Sequence, residues 1–193
     1  PETKATAEQM ILAANSASLA TVALRPHLIF GPGDPHLIPR VIARARVGRL
    51  RQVGDGRNLV DITYIDNAAR AHVQAADALG PGSRCAGKAY FISQGKPVEL
   101  WPWLNDLLER VGVRAVTRSV SFEAAYRIGA AYELAYRTLG LSREPPMTRF
   151  LAAQLAKSTY FDVAAARRDF AYTLRMSTDD GVQQLVAALL GHS

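Results

Sequence analysis

Apolar positions along this 193-residue chain follow two rhythms. Over residues 3–15 they recur every three or four positions, at Ala7, Met10, Ile11 and Ala14, which is helical spacing. Residues 21–30 form a nearly continuous apolar, β-branched run that stops at Gly31-Pro32-Gly33-Asp34, a strong turn signal. Such a run predicts a strand buried on both faces, as in a parallel sheet. Helical spacing returns over residues 38–48, with Ile38, Val41, Ile42 and Ala45 on one face and Arg40 and Arg44 on the other. A loop at Gly54-Asp55-Gly56 leads to a short strand at 59–65. Asp66 is placed to cap a helix over 67–78. A buried strand follows at 89–93, then a helix at 99–111 with Trp101, Leu104, Leu107 and Leu108 inward.

The order to this point is αβαβαβα, which predicts an α/β fold whose ligand crevice lies beyond the carboxyl ends of parallel strands. The loops after Phe30 and Ile65 would face it. Beyond residue 111 the pattern turns mostly helical, with helices at 122–139, 145–158 and 163–169, a short strand at 158–161, and a terminal helix at 177–190. Ser177 is its expected N-cap, with Asp179 and Asp180 in the first turn. The expected division is therefore residues 1–111 as the C-terminal part of a dinucleotide-binding domain and 112–193 as a small helical lobe.

Composition adds exclusions. Hydrophobic residues make up 49% and charged residues 21% of the chain, with no apolar run long enough to span a bilayer. The single cysteine, Cys85, excludes an internal disulfide and any cysteine-based zinc site, and fits a reducing compartment. No metal is expected, and the cytoplasm is the default location. The 23 Lys and Arg against 17 Asp and Glu give a net charge of +6. The densest basic group, Arg40, Arg44, Arg46, Arg49 and Arg51, lacks the interleaved aromatics of a single-strand binder, so it reads as a solvated helix face rather than a nucleic-acid surface.

Three motifs in order carry a resemblance. Leu24-Arg25-Pro26-His27-Leu28-Ile29-Phe30-Gly31-Pro32-Gly33-Asp34 is a strand and turn, and Val60-Asp61-Ile62-Thr63-Tyr64-Ile65-Asp66-Asn67-Ala68-Ala69-Arg70-Ala71-His72 a strand running into a helix. Thr159-Tyr160-Phe161-Asp162-Val163-Ala164-Ala165-Ala166-Arg167 lies near the C-terminal end. With the opening Pro1-Glu2-Thr3-Lys4-Ala5-Thr6-Ala7-Glu8, these resemble extended short-chain dehydrogenases of the 3β-hydroxysteroid dehydrogenase type, over most of the chain. The resemblance implies the C-terminal part of a Rossmann-like doubly wound parallel sheet with a small, mostly helical substrate lobe, entered just after a catalytic tyrosine that would precede Pro1. Lys4 would then stand four residues after that tyrosine on one helical face, where an ammonium lowers a phenol's pKa. In the family this lysine also binds the nicotinamide ribose. Pro26 and Leu28 would contact the nicotinamide end of NAD or NADP through backbone, with His27 close by, either catalytic or satisfied by backbone. His72 reads as a packing residue and His36 as a loop residue.

Departures narrow the substrate. Nucleotide-sugar epimerases and dehydratases of the superfamily put an asparagine near Leu28 and an arginine near Val60; here both are apolar, which leaves a diphosphate unpaired. The apolar and aromatic helix at 122–139, with expected Glu123/Arg127 and Glu133/Arg137 pairs, fits core packing, a hydrophobic cleft or a membrane surface. Phe170-Ala171-Tyr172 stands where relatives carry Leu-Gly-Tyr, which puts a local turn in question. The implied activity is interconversion of a secondary alcohol and a ketone on a hydrophobic substrate, a 3β-hydroxysteroid or long-chain 3-oxo acid, by a chain that alone would be inactive. A nucleotide-sugar epimerase and a noncatalytic dinucleotide sensor are the alternatives. Family members often form homodimers through two long helices, of which the helix from Thr3 would be the second.

Overall fold

A computed structural model describes residues 2–35, 37–143 and 145–191. In chain order the elements are α1 (Glu2–Ala13), β1 (Val22–Pro26), β2 (Ile29–Phe30), α2 (Leu37–Arg46), β3 (Gln52–Val53), β4 (Leu59–Val60), β5 (Thr63–Tyr64), α3 (Ile65–Ala78), β6 (Lys88–Ile92), β7 (Val98–Glu99), α4 (Leu100–Arg110), β8 (Ser119–Val120), α5 (Phe122–Thr138), α6 (Arg149–Ala156), α7 (Ala164–Phe170) and α8 (Thr178–Gly191). The fold is α/β with parallel pairing: β1 with β6, β2 with β5 and β3 with β8. One pair, β4 with β7, is antiparallel, which the alternating pattern did not predict.

The strand expected over 21–30 is two strands. The last β1–β6 bond runs from His27 N–H to Ile92 O, and Leu28 then takes φ 40°, so the chain kinks and β2 starts with a new partner. The strand expected over 59–65 is likewise split into β4 and β5, because Asp61 sends its carboxylate and carbonyl to partners outside any ladder. The strand expected at 158–161 is a single bridge between Thr159 and Val60. Asp66 does not cap α3, which begins at Ile65 with Tyr64 at the cap position and no side-chain bond; Asp66 lies in the first turn, where its charge favours the helix dipole. Ser177 does cap α8, accepting from Asp180 N at 3.1 Å while its hydroxyl donates to that carboxylate at 2.6 Å.

The chain divides into two units, but not at residue 111. One comprises Pro1–Gly33, Asp61–Lys96 and Phe161–Ala188; the other comprises Asp34–Val60, Pro97–Tyr160 and Leu189–Ser193. The chain passes back and forth because α7 and most of α8, expected in the helical lobe, bury their apolar faces within the first unit.

In that first unit, Ala71, Ala75, Tyr90, Ile92, Phe170 and Tyr172 form one buried cluster, and Cys85 is buried with them. The wholly buried Asn67 joins three segments there. Its amide donates to Gln94 Oε1 (2.8 Å) and Met176 O (2.7 Å), and its oxygen accepts from the backbone N–H of Arg175 (2.8 Å) and Met176 (3.1 Å). A fully satisfied buried amide of this kind fixes one arrangement, since any other leaves several groups unpaired. By contrast, Met10 and Ile11 of α1 are 68% and 50% exposed, so the helical stripe read in the sequence faces outward.

In the second unit, Trp101 donates from Nε1 to Leu155 O at 3.0 Å, tying α4 to α6. The backbone of Thr148 and Arg149 comes so close to Gly129 on α5 that a Cβ there would lie 2.6 Å from a carbonyl carbon. Glu133 accepts from both the N–H and Nε of Arg149, each at 2.7 Å, capping α6, and so pairs across the two helices rather than with Arg137. That bonding, backbone N–H first, holds the Glu133 carboxyl below its ordinary range.

Two stability predictions follow from the first unit. Ala171 closes α7 in the left-handed region at φ 56°. An L-residue there costs about 1–2 kcal/mol, partly offset because glycine's unfolded chain is about 0.5–1 kcal/mol more disordered. Ala171→Gly should therefore raise unfolding free energy by about 0.5–1 kcal/mol in urea titration; a loss would show that the turn is not strained. The second concerns Asp169, whose carboxylate is 97% buried and accepts from Arg168 Nε (2.8 Å), Tyr90 Oη (2.7 Å) and Lys88 Nζ (3.3 Å). Those bonds, Arg168 first, hold its carboxyl far below the usual carboxylate value. A depressed folded pKa contributes stability in full above about pH 4 and loses it as pH falls toward the folded value. Asp169→Asn should thus lower stability at neutral pH and flatten its fall below about pH 4, read from denaturation midpoints across pH; an unchanged acid slope would contradict it.

Candidate functional site

In the first unit β1 and β6 end together at His27, and β2 and β5 begin just beyond it. Its backbone N–H donates to Ile92 O at 3.1 Å, at the end of β6, and Leu28 O accepts from Thr63 N at 3.1 Å, at the start of β5. The wholly buried Thr63 hydroxyl lies 2.7 Å from His27 O and 3.0 Å from Ile92 O, pegging the point where β1 gives way to β2. Gly31 follows with φ 151°, and a Cβ there would press on Ile65 and Tyr64. The turn therefore needs glycine for both its conformation and its closeness to the next strand.

His27 is held by its ring. Nδ1 lies 2.9 Å from Asp61 O, and a carbonyl only accepts, so Nδ1 carries a proton and donates, and the neutral form of this ring has Nε2 as its acceptor. The Phe161 ring meets His27 edge-on at 5.5 Å and stacks on Phe91 at 3.6 Å, with the Arg25 guanidinium 5.0 Å from the Phe91 centroid. Asp61, 1% exposed, accepts from Phe161 N at 2.8 Å and so fixes that ring's position.

Lys4 is exposed on α1. Asn15 Oδ1 accepts from Thr21 N (3.0 Å) just before β1, and Glu8 grips Arg25 near its end, with Nε donating to Oε2 at 2.7 Å. Helix and strand thus run antiparallel. Lys4 stands one turn before Glu8 on the same face of α1. The pairing lowers the Glu8 carboxyl's pKa, chiefly through the Arg25 bond, and raises that of Arg25.

Pro26, His27 and Leu28 are half-buried at that strand end. His72 is exposed on α3, with Nδ1 bonded to Ala68 O at 2.7 Å one turn back, so it is not the packing residue the sequence suggested; His36 lies outside the described residues. Val60 is wholly buried in the second unit, paired with Val98. Asp61, Thr63 and Phe161 do more around His27 than the motifs containing them suggested. The available signal was a carboxylate embedded in an otherwise apolar strand. Among the described residues no group of three or more His, Cys, Asp or Glu is placed to hold a metal, and no helix is long and apolar enough to cross a membrane.

Parallel strands ending together, helices beside them and half-buried residues at the strand ends define a Rossmann-like α/β protein. The solved structure of MoeE5 in complex with UDP-glucose and NAD shares this fold, with TM-score 0.67 at 24% identity, over 98% of this chain and 55% of that one. The profile of the 3-beta hydroxysteroid dehydrogenase/isomerase family matches residues 1–122, and the chain belongs to that family. It is 56% identical over 186 residues to the 2-alkyl-3-oxoalkanoate reductase of Stenotrophomonas maltophilia, covering 96% of this chain and 56% of that protein. It is 30% identical over 190 residues to the decarboxylating sterol-4-alpha-carboxylate 3-dehydrogenase of Mus musculus, covering 96% and 52%. The chain spans about half the length of the curated relatives it matches.

Thr63→Val keeps the shape of the peg and removes its hydroxyl, leaving His27 O without that donor while Ile92 O keeps the His27 N–H. Unfolding free energy should fall by about 1–2 kcal/mol, with faster hydrogen exchange at the His27 amide; unchanged exchange at that amide would remove Thr63 from this role.

Proposed function

We propose that this chain forms the C-terminal part of an NAD(P)-dependent oxidoreductase that interconverts a secondary alcohol and a ketone on a hydrophobic substrate. The observation that carries this reading is the kinked, half-buried backbone at Pro26, His27 and Leu28 where β1 ends, with Lys4 exposed on the helix that runs beside that strand. The names of the relatives support it, one a reductase of 2-alkyl-3-oxoalkanoates and another a sterol 3-dehydrogenase. A long-chain 3-oxo acid is the favoured substrate, given the 56% identity to the first.

The residues present suit a nicotinamide in kind. The kinked, half-buried backbone at Pro26 and Leu28 offers an edge for a flat ring, and the imidazole Nε2 of His27 accepts at its rim. The nicotinamide supplies hydride transfer when bound. Lys4 contributes positive charge, which binds a ribose hydroxyl and stabilises the ionised form of a phenol one turn before it. Asp61 and Phe161 orient His27, and Thr63 holds the backbone beneath it. Leu28 offers no fork for a diphosphate, so a nucleotide sugar is not favoured. The exposed stripe of Met10 and Ile11 on α1 is the face through which a second copy would pack.

The test is NAD(P)H-dependent reduction of a 2-alkyl-3-oxoalkanoate by the full-length protein. Lys4→Ala, exposed and outside the core, should leave folding intact and lower kcat/KM by about a hundredfold or more. Wild-type activity undiminished in Lys4→Ala would remove Lys4 from the chemistry, and a full-length protein that binds neither NADH nor NADPH would sink the proposal.

A further inference from the structure

The second unit carries two adjoining hollows rimmed by the basic group that the sequence presented as a solvated helix face. The larger, about 940 Å³, lies between the end of α2, β8, α5 and the approach to α6, and is walled by Val47, Leu50, Val120, Ile128, Met147 and Leu155. Arg44, Arg49 and Arg51 line it as well. The smaller, about 590 Å³, shares Leu50 and Arg51 and adds Arg46, Arg114 and Arg118. Both volumes fall in the range of small-molecule sites, roughly 300–1,000 Å³.

No aspartate or glutamate lines either hollow. Two carboxylates of the unit are engaged elsewhere, Glu133 with Arg149 and Asp106 with Arg110. The arginines that are held are held by carbonyls: Arg44 donates to Pro146 O at 3.2 Å, and Arg51 to Gly48 O at 2.7 Å and Leu50 O at 3.2 Å. A carbonyl orients a guanidinium without neutralising it. The result is uncompensated positive charge over an apolar wall, which favours a ligand with an anionic end and a hydrocarbon body. A nucleotide or single-stranded nucleic acid would need aromatic platforms for its bases, and Tyr132 is the sole aromatic among the lining residues of the two hollows.

We propose that the second unit binds a long-chain alkyl carboxylate here, with its chain against Val47, Val120, Ile128 and Leu155 and its carboxylate on Arg44, Arg49 and Arg51. The guanidinium fork matches a carboxylate's two oxygens, whereas a neutral sterol would leave the arginines without a partner. This binding holds whether or not the hydride chemistry proposed above does.

Calorimetric titration of the full-length protein with dodecanoate, dodecanol and dodecyl phosphate, each kept below its aggregation threshold, tests it without turnover. Dodecanoate should bind about tenfold or more tighter than dodecanol, the increment of a charge-assisted hydrogen bond. Arg49→Glu, at an exposed position with no part in the proposed reduction, should abolish that advantage and leave dodecanol binding unchanged. Val47→Asp, also exposed, should weaken both. Equal affinity for dodecanoate and dodecanol in the unmodified protein, or an undiminished advantage in Arg49→Glu, overturns the proposal. Dodecyl phosphate binding about tenfold tighter than dodecanoate overturns the assignment to a carboxylate.

Discussion

The first unit depends on one hydroxyl at a seam. At residues 27 and 28 the chain leaves β6 and takes up β5, and a backbone that changes partners exposes carbonyls that no regular ladder satisfies. Thr63 Oγ1 sits between His27 O and Ile92 O, the second of which also accepts from His27 N–H, in a place closed to water. Around that peg the left-handed Leu28, the glycine at 31 and the imidazole of His27 acquire defined positions. Irregular backbone at the carboxyl ends of parallel strands is where this architecture places ligands, so the same break that interrupts the sheet creates the edge on which chemistry is built.

Polar pairings then hold the segments that return from far along the chain. Asn67 joins α3 to residues 94 and 175–176, and Asp169 gathers Tyr90, Lys88 and Arg168. Each is satisfied several times over, which makes a competing arrangement expensive and explains why late segments are recruited into the first unit. The second unit relies on closeness instead. Glycine at 129 lets a neighbouring backbone approach, Glu133 caps the helix that begins there, and Trp101 closes the other side through Leu155. The arginines of α2 and the 112–118 segment remain outside this packing, around the hollows.

Family membership and chemistry rest on different grounds. Motif order identifies the 3-beta hydroxysteroid dehydrogenase/isomerase family, and roughly half the length of its relatives is represented. The proposed reaction would draw in addition on a phenol and a nicotinamide. What the structure shows of the setting is an exposed lysine on α1, an imidazole bonded to Asp61 O, and an apolar neighbour in Phe161.

The sequence by itself determined the helices, the parallel α/β class and the family, because spacing of apolar residues and short motifs are local properties that survive without knowledge of contacts. It also flagged Ala171, whose left-handed turn the structure shows. It did not reveal that two apparent strands are each broken, since a run such as residues 21–30 reads the same whether it keeps one partner or changes it. Nor did it show the interleaved units, the role of Asp61 in orienting Phe161, or the exchange of Arg137 for Arg149 as the partner of Glu133. Each of those joins residues 16 to 100 positions apart, and which distant group satisfies a buried carbonyl or carboxylate is decided only when tertiary packing excludes water and leaves one donor within reach.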